Sequence, residues 1–405
     1  MSVYLFATLD TKGAEAQFVR SQLEALGVEC VLINTGCLGE PTVPCDVSAG
    51  ELFAQIGCSL ADLRQRSHRS EAITAAASAA AQWIFDEQTR GRVHGVLSLG
   101  GSAGTTIGTA AMRALPIGIP KVMVSTLAAG QTRPYVGSKD ILMLNAVVDI
   151  AGLNRISRSI LSQAARAMAG IVLNPAPPDT GNDRPLIAAT MFGVTTPCVE
   201  VARQRLEVSG YEVLVFHATG IGGQTMESLI EEGLIAGVLD ITTTELADEL
   251  VGGTLSAGPD RLSMAGRKGI PQVISVGALD MVNFGPRATV PEKFANRRFH
   301  QHNATVTLMR TTAEENFRLG SEIAGIANAS QGPVSIMFPW RGVSAIDQAG
   351  QPFDDPAARR ALYEGLLQVE PPVVLREFDE HINSPAFALA AAEELLRLMK
   401  SVDSR

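Results

Sequence analysis

The 405-residue chain is too long for one ordinary hydrophobic core, so two domains are expected before any motif is read. Its composition, 46% hydrophobic with 38 glycines, is that of a globular α/β protein, and a net charge of −9 opposes long-range attraction to nucleic acid or an anionic membrane. The chain opens on a strand pattern with no basic leader, no apolar run approaches the ~20 residues of a membrane-spanning helix, and its five cysteines form no C-x-x-C pair; a cytoplasmic protein without a disulfide framework is expected.

The first strand signal, over 3–7, runs into Thr8-Leu9-Asp10-Thr11-Lys12-Gly13, which puts a carboxylate, hydroxyls and an ammonium at one strand end. Lys12 can meet a phosphate as a point charge, and Asp10 can either hold Mg²⁺ through its oxygens or cap the next helix. A helical pattern then stops at Gly27 before a second strand over 31–36. Cys37 and Cys45 share a loop, but no second pair or nearby His completes a zinc site. Alanine-rich 71–85 reads as a helix.

The strand over 96–99 delivers Gly100-Gly101-Ser102-Ala103-Gly104-Thr105-Thr106 to a helix through Arg113. Glycines there let backbone N–H groups converge on an anion, the hydroxyls of Ser102, Thr105 and Thr106 add donors, and the helix dipole favours negative charge, so a phosphate or carboxylate fits. The competing reading is that the glycines permit close packing of helix on strand. The turn is neither G-x-x-x-x-G-K-[ST] nor G-x-G-x-x-G. A strand over 118–125 and a helix over 156–169 follow.

Repeated prolines at 174–185 block helix and mark a boundary, which divides the chain into an N-terminal lobe at 1–175, a linker at 176–185 and a C-terminal lobe at 186–405. The second lobe opens with a strand over 186–190, then a turn in which Thr196 is the expected N-cap and Pro197 the first helical residue. A strand over 213–216 ends at His217, a group that titrates near neutrality and can serve as acid, base or ligand. Beyond the strand at 238–239, the carboxylates of Asp240 and Glu245 flank the hydroxyls of Thr242, Thr243 and Thr244, a turn able to bind sugar hydroxyls, a metal or a nucleotide, or to form a Thr–Glu cap. Asp280 and Asn283 follow the strand over 269–276. His300 and His302 share a face if extended but need a third ligand to hold a metal, and Arg310 can fork onto an anion. Strands over 334–338 and 373–378 and a helix over 385–399 complete the lobe.

The two halves repeat each other. Each reads strand, turn, helix, glycine stop, strand; Gly95-Val96-Leu97-Ser98 echoes Gly237-Val238-Leu239-Asp240, and Gly118-Ile119-Pro120-Lys121 echoes Gly269-Ile270-Pro271-Gln272. Alternating strands and helices predict two doubly wound, Rossmann- or flavodoxin-like parallel-sheet lobes with a cleft between them and ligands beyond the carboxyl ends of the strands. No nucleophile elbow or Ser-His-Asp order identifies a reaction.

Eight blocks, among them LDTKGAEAQF at 9–18, LGGSAGTTIGTA at 99–110, TMFGVTTPCVE at 190–200, VLDITTTELAD at 238–248 and SVGALDMVNFGP at 275–286, together resemble one family. That family is typified by the ATP-binding, inhibitory N-terminal domain of the tomato mosaic virus resistance protein of plants. The resemblance implies Mg-ATP binding on a two-lobed α/β fold. In the plant protein the domain is fused to a downstream barrel and binds a viral helicase; this chain carries only the first part, so the antiviral role is not carried over. Ala103 stands where the plant motif has Gly.

The expectation is therefore a cytoplasmic protein that takes ATP with Mg²⁺ through Asp10, Thr11, Lys12, Gly100, Gly101, Ser102, Gly104, Thr105 and Thr106, with Thr242, Thr243 and Thr244 completing the site. Asp10, Asp240, Asp280, His300 and His302 are the candidate metal ligands. A rival is a catabolic, hydrolase- or lyase-like enzyme acting on a small phosphorylated or carboxylated metabolite, with His217, Glu245 and Asp280 as acid–base candidates. A third is a ligand-regulated interaction scaffold. A small-molecule ligand and self-association into a homo-oligomer are the expected partnerships.

Overall fold

Short aliphatic runs with little alternation suit strands buried on both faces, and the chain places them in parallel sheets. The structure, a computed structural model, describes residues 1–66, 68–175 and 184–403. Residues 176–183 of the expected linker lie outside the described residues. Two compact units are formed, Met1–Pro178 and Asp179–Arg405. Among the described residues no helix is long and apolar enough to cross a membrane.

The first unit carries β1 (Ser2–Ala7), β2 (Glu29–Asn34), β3 (Gly95–Gly100), β4 (Lys121–Ser125) and β5 (Leu142–Asn145), all parallel in the order β2-β1-β3-β4-β5. Successive residues of each strand feed opposite cores. Val3, Leu5, Ala7, Leu97 and Leu99 pack on helices Leu9–Ala25 and Arg155–Leu173, while Tyr4, Phe6, Val96 and Met123 pack on helices Arg69–Thr89 and Ser102–Arg113. Each fully buried Leu or Phe in these layers contributes about 1.5–3 kcal/mol.

The second unit carries β6 (Leu186–Met191), β7 (Glu212–His217), β8 (Gly237–Thr242), β9 (Gln272–Gly277), β10 (Met281–Phe284), β11 (Phe299–Asn303), β12 (Val306–Arg310), β13 (Val334–Pro339) and β14 (Val374–Phe378). Six form a parallel sheet in the order β14-β13-β9-β8-β6-β7. The other three form an antiparallel sheet, β10-β12-β11, which the sequence reading did not anticipate. Helix Pro385–Asp403 packs on helix Thr196–Val208 of its own unit, around Phe387, Ala391 and Leu395.

The internal repeat holds at the level of register. Val3 pairs with Gly95 and Val96 with Lys121; Ile187 pairs with Gly237 and Val238 with Gln272. Gly95 and Gly237 even share a cause, because a methyl group on either would press on a methionine sulfur of the last helix of its unit, Met168 Sδ at 2.7 Å or Met399 Sδ at 2.9 Å. Counting onward along β3 and β8, Ser98 corresponds to Asp240 and Gly101 to Thr243. Both of the last pair are helix N-caps.

Three local expectations are corrected. Thr195, not Thr196, caps helix Thr196–Val208, because a 3₁₀ turn at Gly193–Thr195 brings the chain in one residue earlier and leaves Pro197 second. Asp10 does not cap its helix; Thr8 holds that position and Asp10 lies in the first turn. The Thr–Glu capping box after β8 does not form, since Thr243 is the cap and Glu245 points its carboxylate elsewhere.

Candidate functional site

Adjacent strands whose helices leave toward opposite faces open a crevice, the usual ligand position of a doubly wound sheet. In the first unit the chain leaving β1 enters helix Leu9–Ala25 on one face, and the chain leaving its neighbour β3 enters helix Ser102–Arg113 on the other. Gly101 caps the second of these helices with an extended backbone, and no side chain among the described residues satisfies the first-turn N–H groups. A methyl group at 101 would meet nothing nearer than Thr126 Oγ1 at 3.8 Å. The positive end of a 12-residue helix thus has a roomy, uncapped mouth.

The glycines of this turn serve two purposes. Gly100 and Gly104 let helix and strand touch: a methyl on Gly100 would lie 2.8 Å from Gly104 Cα, and one on Gly104 would lie 3.0 Å from the Leu99 carbonyl oxygen. Gly104→Ala is expected to cost about 1–3 kcal/mol in urea unfolding through overpacking. Gly101→Ala should cost less, about 0.5–1 kcal/mol for a poorer cap. The reverse ranking would overturn this division of roles.

Of the predicted hydroxyls, Ser102 is exposed at the helix start. Thr105 is buried, donating to the Gly101 carbonyl at 2.8 Å and sharing a 2.6 Å hydrogen bond with Ser125. Thr106 donates to the Ser102 carbonyl of its own helix at 2.9 Å. Beside them is a hollow of about 100 Å³ where Thr8, Asp10 and Thr11 meet Cys37, Ala103 and Ile107. Asp10 accepts from Leu38 N at 3.2 Å and Gly39 N at 3.1 Å, which holds the loop after β2 against the start of the helix. Lys12 leaves helical geometry at φ −127° and donates its ammonium to the Ile150 carbonyl. It bridges the chain leaving β1 to the chain leaving β5, with β3 and β4 between them in the sheet.

The equivalent edge of the second unit is closed. Asp240 and Glu245 are fully buried and grip a buried guanidinium: Arg261 Nη1 and Nη2 donate to the two Asp240 oxygens at 2.7 Å each, and Arg261 Nε donates to Glu245 at 2.6 Å. Glu227 lies 3.4 Å from the same group. Burial opposes the charge of Arg261, yet Asp240, Glu245 and Glu227 together carry its pKa well above the ordinary value. Glu245 also accepts from Gly220 N at 2.6 Å and Gly223 N at 3.1 Å, so a carboxylate of the chain itself fills the N-terminus of helix Ile221–Glu231. Thr242 bonds Thr195 and the Thr190 carbonyl, Thr243 donates to the Ser275 carbonyl, and Thr244 accepts from Asn283. All three are fully buried, which corrects the expectation of a hydroxyl-lined rim.

The acid–base candidates enter separate networks. His217 is exposed and stacks on Phe192 at 5.5 Å. Asp280 is fully buried, receives Ser344 Oγ at 2.8 Å on one oxygen and leaves the other without a hydrogen bond. Burial, reinforced by the Asp347 carboxylate, pushes its pKa up to about 7. Arg310 forks onto Asp347 and the Asp280 and Phe353 carbonyls rather than onto a ligand, and Arg359 completes the set. Asp248 is likewise raised to about 7 by burial, against hydrogen bonds from Asn283 and Leu255.

The metal expectation is not met by clustering. His300 lies edge-on to Phe353 at 6.3 Å, His302 is exposed, and Asp240 is spent on Arg261. Among the described residues no group of three His, Cys, Asp or Glu is placed to hold a metal ion. Sequence reasoning also missed Arg261, Asp347 and Arg359. The available signal was the carboxylates at apolar strand ends, which need a buried cation somewhere in the chain.

Comparison with known proteins gives matches over nearly the whole chain. Two family models, described as the N-terminal and C-terminal domains of "Uncharacterised protein family (UPF0261)", match residues 1–177 and 184–399. A UPF0261 protein of Clostridium tetani is 48% identical over 400 residues, 98% of this chain and 99% of that protein. The ToMV resistance protein Tm-1 of Solanum lycopersicum is 40% identical over 423 residues, which cover 98% of this chain but 55% of the tomato protein. Among solved structures, a putative UDP-N-acetylglucosamine 2-epimerase from Listeria monocytogenes aligns over 100% of this chain and 96% of its own with a TM-score of 0.24 and 10% identity, a likeness too weak to argue from.

Proposed function

The chain belongs to the UPF0261 family, and on that premise we propose that it binds a phosphate-bearing ligand, ATP with Mg²⁺, at the carboxyl edge of the sheet in its first unit. The observation that carries the reading is the uncapped, sterically open N-terminus of helix Ser102–Arg113 at the β1/β3 switch point. Gly101 leaves room for the anion, first-turn N–H groups face it, and the Ser102 hydroxyl stands at the mouth. Lys12 supplies a cation from the neighbouring strand end, at the cost of its bond to Ile150.

The second unit supports the assignment by contrast. At the matching turn the cap is Thr243 rather than Gly101, fully buried with its hydroxyl given to the Ser275 carbonyl, and Glu245 fills the N-terminus of the neighbouring helix Ile221–Glu231. The turn that is sterically open in the first unit is closed by a buried threonine in the second.

Magnesium fits the same residues. It keeps several waters and is held by substrate phosphates with one or two carboxylates, so it needs no cluster of three protein ligands. Asp10, which shares the small hollow with Ala103, would be its protein ligand. The metal supplies charge neutralisation for the phosphates.

Titration calorimetry tests the reading. ATP with Mg²⁺ should give a saturable heat that Gly101→Leu weakens by about tenfold or more, equivalent to at least 1.4 kcal/mol. No heat at millimolar ATP, or full binding by Gly101→Leu, would remove the proposal.

A further inference from the structure

A second hollow of the first unit adjoins the same helix mouth. It opens between the chains leaving β4 and β5, holds about 300 Å³ and is lined by Thr126, Asn145, Val147, Val148 and Asp149. That volume reaches the lower end of ligand pockets, about 300–1,000 Å³, which the hollow beside Asp10 does not. Thr126 joins the two features, since its hydroxyl is the atom nearest to where a side chain at Gly101 would begin, at 3.8 Å.

The lining has spare hydrogen-bonding capacity. Asp149 is exposed, and neither its carboxylate nor the Thr126 hydroxyl bonds or pairs with any described residue. Asn145 accepts from Val147 N at 3.2 Å through its amide oxygen and keeps both amide donors. A carboxylate that only accepts, next to a hydroxyl and an NH₂ group, matches vicinal hydroxyls, each of which gives one hydrogen and receives another. An ammonium ligand would leave the amide and hydroxyl donors without acceptors, and a second anion would be repelled by Asp149.

The wall is held in place from below. Gly152 N donates to the buried Glu15 at 2.6 Å, so the segment after β5 stays tied to helix Leu9–Ala25 when Lys12 turns to the phosphate. Val147 adopts φ +63° while 69% exposed. A β-branched residue in that region costs on the order of 1–2 kcal/mol, and its exposure shows no packing that offsets the cost.

We infer that this hollow takes the vicinal diol of a phosphorylated sugar or nucleoside, with the phosphate on the helix at Gly101, Asp149 accepting from the two hydroxyls, and Asn145 and Thr126 donating to their oxygens. The inference rests on the anion site proposed above. It adds the part of the ligand that is selected and the residues that select it.

Calorimetry on the full chain separates the two ideas, using tripolyphosphate, ATP, 2′,3′-dideoxy-ATP and ribose 5-phosphate, each with Mg²⁺. The wild-type protein should bind ATP about tenfold or more tightly than dideoxy-ATP, as expected for lost hydrogen bonds to a charged group. Asp149→Ala should bind the two alike while keeping wild-type affinity for tripolyphosphate; because Asp149 is exposed, the fold is not at stake. Ribose 5-phosphate binding that depends on Asp149 identifies a sugar phosphate as a ligand source, and its absence beside diol-dependent ATP binding identifies a nucleotide. Tripolyphosphate binding without diol preference, or a preference that survives Asp149→Ala, overturns the subsite alone. No binding of any phosphate overturns the anion site and the subsite with it.

Discussion

Replacing Arg261 with methionine is expected to unfold the second unit or bring it to the edge of unfolding, although Arg261 touches no proposed ligand. The guanidinium is fully buried and holds Asp240 and Glu245, both fully buried, with Glu227 beside them. Removing one partner of a buried pair costs about 3–5 kcal/mol because the other charge is stranded, and here more than one carboxylate is stranded at once. A domain has about 5–15 kcal/mol in total. Methionine keeps most of the side-chain volume, so the loss measured is electrostatic rather than a cavity. Leu262, at φ +78°, donates its N–H to Glu227 at 2.6 Å, so the backbone beside Arg261 is tied to the same carboxylate. Circular dichroism with urea should show loss of the second unit's transition, or its shift by at least 3 kcal/mol. Combining Arg261→Met with Asp240→Asn and Glu245→Gln should recover part of the loss, because neutral amides strand no charge. A single variant within about 1 kcal/mol of wild type would show that the network is dispensable.

That network also marks where sequence reading ends. The strands, the repeat and the turn after β3 were legible because they follow from local signals: aliphatic runs, glycine stops and a glycine-rich strand-to-helix turn. The register then shows the repeat to be exact enough to align Gly101 with Thr243. What was not legible is which turn is open and which is filled. Asp240, Glu245 and three threonines read as a ligand rim, but their partner, Arg261, sits in an irregular segment that no periodicity marks. The packing reading of the Gly100–Gly104 turn holds for Gly100 and Gly104, while Gly101 is left sterically open, a division that depends on interatomic distances. The antiparallel β10-β12-β11 sheet escaped because its strands are only 4 or 5 residues long and mix apolar with polar residues.

Asp280→Asn is expected to stabilise the protein increasingly as pH rises from 4 to 7. Asp280 is fully buried with one oxygen unpartnered, and burial together with Asp347 raises its pKa to about 7 from an ordinary value of 3.8. A carboxyl whose folded pKa is raised stabilises fully below the unfolded pKa, because both states then hold the proton. Between the two values only the folded state holds it, so stability falls with pH at about 1.4 kcal/mol per unit, and it levels off once the folded group ionises. The asparagine variant lacks this titration and can still accept from Ser344 through its amide oxygen. Its advantage over wild type should therefore grow between pH 5 and 7, by at most about 1.4 kcal/mol per pH unit because Asp280 and the neighbouring Asp347 titrate together, and level off above, in urea unfolding at pH 5, 6, 7 and 8. Asp248, also raised to about 7, contributes the same slope to both proteins and cancels in the difference. Substituting Asp248 would be a poorer test, since both its oxygens accept hydrogen bonds, from Asn283 and Leu255, and an amide would set a donor against a donor. Parallel pH profiles for wild type and Asp280→Asn would mean that Asp280 is ionised in the folded protein, which would require a donor for its free oxygen.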